Sequence, residues 1–160
     1  MVDTKLVRQM ALFEDFDRKE IEELAELCSI REFSKGETLF AEERPATHLY
    51  TLLKGRVVIM MNGVRGQHAL VYTVQPGQAF SWSAMVPPRR YTASAVAVEP
   101  SEALIVEGRK LAKLFKTRPQ SGYKLMCRVA QLISKRLRHT RLQLLNIHDW
   151  QTPENSESKG

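Results

Sequence analysis

The sequence predicts a mainly β domain, a sandwich or roll, with helices at both ends, and three observations lead there. From Ser29 to Glu107 the chain breaks into short β-rich pieces separated by turn residues, the pattern of many short strands. On either side of that stretch apolar residues recur at helical spacing. A length of 160 residues with 43% hydrophobic content suits one globular domain plus an appendage, and is too short for two full domains. The expected divisions are residues 1–28 (helical), 29–107 (β core), 108–148 (C-terminal helices) and 149–160 (polar tail).

Asp17 to Cys28 (DRKEIEELAELC) places Ile21, Leu24, Ala25, Leu27 and Cys28 on one helical face with acids outside, and Asp17 followed by Glu20 makes a capping box. The strands then read SIREF, ETLFAE, HLYTLLKG, RVVIMMNG, HALVYTV, TASAVAV and EALIVE. Lys35-Gly36-Glu37, Lys54-Gly55-Arg56, Asn62-Gly63 and Gln75-Pro76-Gly77 are the turns, with Asn62-Gly63 a strong hairpin signal. After the strands, Arg109 to Phe115 reads as a short helix and Pro119 opens a long one that runs to about Ile147. Leu125, Val129, Leu132, Ile133, Leu137, Leu144 and Leu145 form its apolar stripe, interrupted near Arg136 and Arg141.

The stretch Pro76 to Ala97 (PGQAFSWSAMVPPRRYTASAVA) is the richest in chemistry. Pro76-Gly77 is a turn dipeptide, and Ser81 after Phe80 is a good N-cap, so Trp82, Ser83 and Ala84 read as one helical turn whose free backbone N–H groups favour an anion. Pro87-Pro88 stops that turn, because proline lacks an N–H and disfavours helix at the residue before it. Tyr91 to Val98 reads as the next strand. Arg89 and Arg90 sit at the loop's exit, where a planar guanidinium fork matches two phosphate oxygens; solvated loop arginines are the alternative.

This order of elements resembles the phosphate-binding cassette of cyclic-nucleotide-binding domains, the family of catabolite-activator-like regulators and of the regulatory subunits of cyclic-AMP-dependent kinase. In the family the segment runs F-G-E-x-A-L-L, a short loop, then R-x-A-T-V-x-A; here FSWSAMV, PPRR and YTASAVA stand in those places. Phe80, Ala84, Ala93, Val96 and Ala97 coincide. Ser81 stands for the glycine, Trp82 for the acid that holds the ribose hydroxyl, and Tyr91 for the arginine that pairs with the cyclic phosphate. FSKGETLF and LYTLLKGRV are similar to the family's F-x-K-G-E-x-[LI] and L-Y-x-[LI]-x-x-G-x-V, so the resemblance spans Phe33 to Val106.

The resemblance implies a β-roll of the double-stranded β-helix or jelly-roll type. It also implies a ligand site drawn from Phe80, Ser81, Trp82, Ser83, Ala84, Arg89, Arg90, Tyr91 and Thr92, completed by Thr140 on the long helix. Strand residues alternate faces and advance about 3.3 Å each, so Arg90 points away if the strand has begun there, and Arg89 lies about 6.6 Å from the family's arginine position. Trp82 suits a flat apolar ligand better than a ribose diol, or fills the pocket itself. Cyclic AMP, cyclic GMP or another nucleotide-like anion are the effectors so implied.

In the resembling family the long helix pairs with its twin at a dimer axis and closes over the base, and SKRLRHTRLQLLNI is similar to that segment. A homodimer is implied; a helix folded back on its own roll, leaving a monomer, is the alternative. The net charge of +6 is unevenly placed: Gly108 to His148 holds eleven cations and no acid, and the other 13 basic residues face all 18 acids. A basic appendage on an acidic body suggests the body of a second subunit first, then an acidic partner or nucleic acid. Residues 149–160 are a polar tail too short for a three-helix DNA reader, so sequence-specific DNA binding is not expected and a separate effector protein, or a longer chain of which these residues are part, would supply the output.

The inventory points away from catalysis. His48, His68, His139 and His148 are scattered without metal spacing, and no nucleophile elbow, Walker loop or H-x-x-x-H pair occurs. Ser81 and Ser83 near Arg89 have no base beside them, so capping accounts for them better. Cys28 and Cys127 read as two separate buried thiols, and nothing provides the N-terminal cysteine cluster of the family's oxygen-sensing branch. With no membrane-spanning run and acids too early for a signal peptide, a cytoplasmic protein is expected. Two readings follow: a sensor of a small anionic effector that signals through the dimer helix, or a degenerate roll that serves as a dimerising interaction module with a basic partner surface.

Overall fold

Two four-stranded antiparallel sheets pack against each other in the computed structural model, which describes residues 1–147. β1 (Cys28–Phe33), β8 (Ser101–Glu107), β3 (His48–Lys54) and β6 (Ala79–Phe80) form one sheet in that order. β2 (Thr38–Phe40), β7 (Ser94–Ala97), β4 (Val57–Asn62) and β5 (His68–Val74) form the other. Phe33, Leu52, Val57, Val74, Phe80, Ala95, Ala97 and Ala103 fill the space between them, as inward positions of alternating strands should. The fold is the mainly β roll with flanking helices that the sequence predicts.

Helices close the outer face of the first sheet. α1 (Thr4–Arg8), α2 (Arg18–Leu27), α3 (Gly108–Thr117) and the first half of α4 (Pro119–Ile147) bury Val7, Phe13, Ile21, Leu24, Leu111, Leu125 and Val129 in a second core shared with Leu49, Leu104 and Val106. The capping box at the start of α2 is present: Glu20 donates its N–H to Asp17 Oδ1 at 2.9 Å, and Asp17 donates its N–H to Glu20 Oε2 at 2.7 Å. Gly55 turns β3 into β4 at φ +84°, where a Cβ would also strike the Pro100 carbonyl, so both conformation and space demand glycine.

Four expectations need correction. The strand read from Tyr91 to Val98 is confined to Ser94–Ala97; Tyr91 instead exchanges backbone bonds with the 43–46 loop, donating to Arg44 O and accepting from Glu43 N, both at 2.9 Å. The Asn62-Gly63 signal does mark a hairpin between β4 and β5, but the left-handed residues are Arg65 (φ 68°) and Gly66 (φ 73°), so the loop is longer than a two-residue turn. Cys28 is buried, its thiol pushed up to about 12 by desolvation, whereas Cys127 is exposed on α4 rather than buried. The apolar stripe of α4 does not face one way: Leu125 and Val129 are core, while Leu137, Leu144 and Leu145 are exposed. His148 and the tail 149–160 lie outside the described residues.

Part of the positive charge on the C-terminal helices finds its counter-ions within the same chain. Arg118 makes a two-pronged contact with Glu23 (2.6 and 3.1 Å), Lys124 meets Glu20 at 2.7 Å, and Arg128 joins Asp15 at 2.7 Å and Glu14 at 3.1 Å. Glu20 also accepts from Ser121 Oγ at 2.6 Å, so one carboxylate caps α2 and pins α4. Burial pushes the Glu20 carboxyl up, but Lys124, Ser121 and the Asp17 N–H outweigh it and hold it below its ordinary 4.5; hydrogen bonding from Arg128 likewise holds Asp15 below 3.8. A carboxyl whose folded pKa is depressed contributes stability that is present above its ordinary pKa and lost as pH falls through the folded value. The melting temperature should therefore drop on acidification below about pH 4.5, and Glu20→Gln should lower it at neutral pH while flattening that drop; thermal unfolding between about pH 3 and 6 checks both.

Candidate functional site

A cavity of about 280 Å³ lies where the second sheet, the cassette turn and α4 converge. β4 contributes Ile59 and Met61, β5 contributes Val71 and Tyr72, and the segment entering β7 contributes Thr92 and Ala93. Phe40, Ser81, Trp82 and Ser83 form the cassette side, and Ile133, Arg136, Leu137 and Thr140 of α4 form the opposite wall. Ile133, Arg136, Leu137 and Thr140 are three or four apart and so share one side of the helix, and Ile59 and Met61, two apart, share one face of β4.

The cassette turn, Trp82–Ala84, is a single 3₁₀ turn after β6. Ser81 does not cap it with its side chain, contrary to the sequence reading. It sits in the left-handed region at φ 67°, ψ 40°, and its hydroxyl donates to His48 O at 2.8 Å. That backbone conformation explains why the resembling family carries glycine at the corresponding position, and the serine holds it through a bond to β3. Of the expected amide donors, Ala84 N–H is taken by Ser81 O at 3.4 Å, leaving Trp82 and Ser83 at the open start of the turn. Gly108, the first residue of α3, lies so close behind the turn that a Cβ there would come within 2.7 Å of Ala84 O. The turn and the C-terminal helices are thus in direct contact through backbone.

Of the residues expected at the site, Ser81, Trp82, Ser83, Thr92 and Thr140 line the cavity, and Phe80, Ala84, Arg89, Arg90 and Tyr91 do not. Phe80 and Ala84 are core. Arg90 donates from its guanidinium to Glu43 O, and Arg89, at φ 54°, is exposed on the loop after the cis Pro87-Pro88 bond. Tyr91 is 4% exposed, stacked on Phe40 with ring centroids 4.1 Å apart and planes 14° from parallel, and its hydroxyl accepts from Thr47 N–H at 3.2 Å. Burial, and then the neighbouring Tyr91 hydroxyl, push the Tyr50 phenol well above its ordinary value. The tyrosine that stands at the family's arginine position belongs to an aromatic stack of Phe40, Tyr50, Phe80 and Tyr91.

The cavity's charged group comes from elsewhere. Among the described residues, Arg136 is the one cation in the lining, with its guanidinium carbon 3.5 Å from the centroid of the Tyr72 ring. Its Nε is buried with no hydrogen-bond partner among the described residues. Desolvation pulls its pKa down against the opposing effect of Tyr72, and burial also raises Tyr72. In sequence Arg136 registers only as an interruption of the apolar stripe on α4; a cation inside such a stripe was the available signal.

The apolar surface of α4 continues outward from the cavity wall, with which it shares Ile133, Leu137 and Thr140. Tyr123, Met126, Leu137 and Leu144 are exposed large side chains, and Ala130 is exposed between them. Positions 123, 130, 137 and 144 recur every seven residues, with 126, 133 and 140 between, the heptad pattern of a helix seam. Lys135, Arg138 and Arg141 flank its distal half without an ion pair among the described residues.

The profile of the cyclic nucleotide-binding domain family matches residues 30–118. Among curated proteins, a CRP-like cAMP-activated global transcriptional regulator of Mycobacterium tuberculosis is 23% identical over 143 residues, which cover 89% of this chain and 62% of that protein. The chain thus spans less than two thirds of that relative's length. Among solved structures, one described as a cyclic nucleotide-binding protein of Geobacter metallireducens superposes with a TM-score of 0.78 at 26% identity, covering 86% of this chain and 99% of the other. A cyclic nucleotide-binding domain from Methylobacillus flagellatus superposes with a TM-score of 0.81 at 20% identity, covering 91% and 85%, which speaks to the fold.

Proposed function

The chain belongs to the cyclic nucleotide-binding domain family, and from that premise we propose that it is a sensor domain that binds a small anionic or nucleotide-like effector and signals through α4 as a homodimer. The observation that carries this reading is the shared cavity: the roll, the Ser81–Ser83 turn and four residues of α4 wall the same space, so an occupant touches the helix directly. A ligand shifts a helix only by the difference in its affinity for the helix's two positions, and contacts to Ile133, Arg136, Leu137 and Thr140 are where such a difference would arise. The exposed heptad row supports the dimer, since Tyr123, Met126, Leu137 and Leu144 keep large apolar surface exposed among the described residues. The role is binding rather than catalysis. The output passes to a separate effector protein or to a further part of a longer chain.

A second reading is a degenerate roll that binds no effector and works as a dimerising interaction module. Two substitutions favour it: Trp82 and Tyr91 occupy the places of the family's ribose-binding acid and phosphate-binding arginine, and Tyr91 is packed into an aromatic stack. Native mass spectrometry of the protein alone and with excess cyclic AMP or cyclic GMP separates the two, because it reads subunit number and bound mass together. A dimer that gains one nucleotide per subunit, or that carries a co-purified small molecule, is the expected result for a sensor. A dimer that gains nothing and carries nothing supports the module.

A further inference from the structure

We infer that the cavity takes a small aromatic carboxylate whose anionic end is held by Arg136 of α4, in place of a cyclic nucleotide held by the cassette. This rests on the sensor reading above and names the ligand class it would use.

Four observations converge. The polar contacts that a cyclic nucleotide requires in this family fall on Trp82 and Tyr91, neither of which can pair with a ribose diol or a phosphate as its counterpart does. The two nearby arginines do not replace them: Arg89 is exposed and outside the lining, and the Arg90 guanidinium is engaged by Glu43 O. Arg136 is inside the lining, and its buried Nε lacks an acceptor. A guanidinium carries further N–H donors besides Nε, and a carboxylate supplies acceptors in the planar geometry that such a fork matches. The Tyr72 ring, its centroid 3.5 Å from the guanidinium carbon, braces that group against β5 at the cavity wall.

The remainder of the wall describes the rest of the molecule. Phe40 and Trp82 offer flat aromatic surface and Ile59 and Val71 aliphatic surface, and Thr140 is the hydroxyl nearest in sequence to Arg136 on the same wall, four residues on and so one helical turn away. A volume of about 280 Å³ is at or below the low end of small-molecule sites, which run from about 300 to 1,000 Å³, and suits one or two fused rings better than a nucleotide. The anion's position on α4 distinguishes this site functionally: the charge contact is made to the helix that would carry the signal, so effector charge and helix position are coupled without the cassette.

Isothermal titration calorimetry on the full chain tests this with 2-naphthoate, its neutral counterpart 2-naphthamide, and cyclic AMP, against the wild type, Arg136→Gln, Arg136→Lys and the double variant Arg89→Gln/Arg90→Gln. The expected result is binding of 2-naphthoate about ten- to a hundredfold tighter than of 2-naphthamide, with that preference lost in Arg136→Gln, partly kept in Arg136→Lys, and intact in the double variant. If Arg136 merely braces Tyr72, its variants lower the melting temperature and affect acid and amide alike, which overturns the proposal even where a variant is less stable. Binding of cyclic AMP that survives Arg136→Gln but fails in the double variant overturns it while leaving the sensor reading standing. Failure of all three compounds to bind the wild type overturns the carboxylate, and with a native mass spectrum free of bound small molecules it overturns the sensor reading as well.

Discussion

Placing glutamate at both Ala130 and Leu144 is expected to convert the proposed dimer to a monomer, weakening association at least about a hundredfold. Both positions are exposed, seven residues or a multiple of seven apart, and absent from the cavity wall and from either core. In a parallel pair about a two-fold axis each seam residue meets its own copy, so the two substitutions set two pairs of carboxylates face to face, about 21 Å apart, in a strip that would otherwise bury Tyr123, Met126 and Leu137. Like charges forced into contact while losing water disfavour the complex far more than they disturb the exposed helix of a monomer. Sedimentation velocity reads the subunit number, and thermal unfolding at a concentration where both proteins are monomeric should show similar midpoints. A dimer that withstands both glutamates has its interface elsewhere. The proximal cations would not oppose the pairing, because Arg118, Lys124 and Arg128 are already matched by Glu23, Glu20, Glu14 and Asp15.

Tyr91→Arg, which writes the family's residue back into the cassette, is expected to destabilise the fold by several kcal/mol rather than to install nucleotide binding. At 4% exposure Tyr91 shares its surroundings with Phe40, Ala46 and Ala84, so a guanidinium placed among them loses its hydration. The substitution also removes a ring stacked at 4.1 Å and strips the Thr47 N–H of its acceptor. Tyr91→Phe isolates the last of these and should cost about 1–3 kcal/mol, the penalty of one partly buried N–H left unmet. Urea unfolding of the three proteins checks the order. A stable Tyr91→Arg protein that gains affinity for cyclic AMP would show that the tyrosine blocks an otherwise intact phosphate pocket.

The parts of the fold that were legible in the chain are those governed by near neighbours. Alternating apolar residues and turn glycines mark the strands, and the span HALVYTV coincides with β5 from His68 to Val74. Pro119 and Ile147 bound α4 as expected, and Asp17 with Glu20 caps α2. What went astray depended on distant partners. Ser81 reads as a side-chain cap because serine favours that role locally, but the carbonyl of His48, 33 residues away, takes its hydroxyl and the backbone turns left-handed. Tyr91 reads as a strand residue, but Phe40 and the 43–46 loop draw it inward.

The charge pattern divides in the same way. Eleven cations and no acid between Gly108 and His148 are plain in the sequence, as is the acidic character of the remainder. That these meet within one chain follows from the placement of α2 against α4, which brings Glu20 to Lys124 across 104 residues and Asp15 to Arg128 across 113.

By itself the sequence determined most of the strands, the turns at Gly36, Gly55 and Gly77, and the ends of α2 and α4, because hydrophobic period, glycine conformation and capping act over a few residues. Only the tertiary structure decided which arginine faces the cavity. Leu125 and Val129 enter the helical core and the acids of the N-terminal segment grip Lys124 and Arg128, and together they set the rotation of α4 about its axis. That rotation turns Arg136 inward over Tyr72 and leaves Leu144 facing out, a choice between faces of one helix that no local rule on the sequence could make.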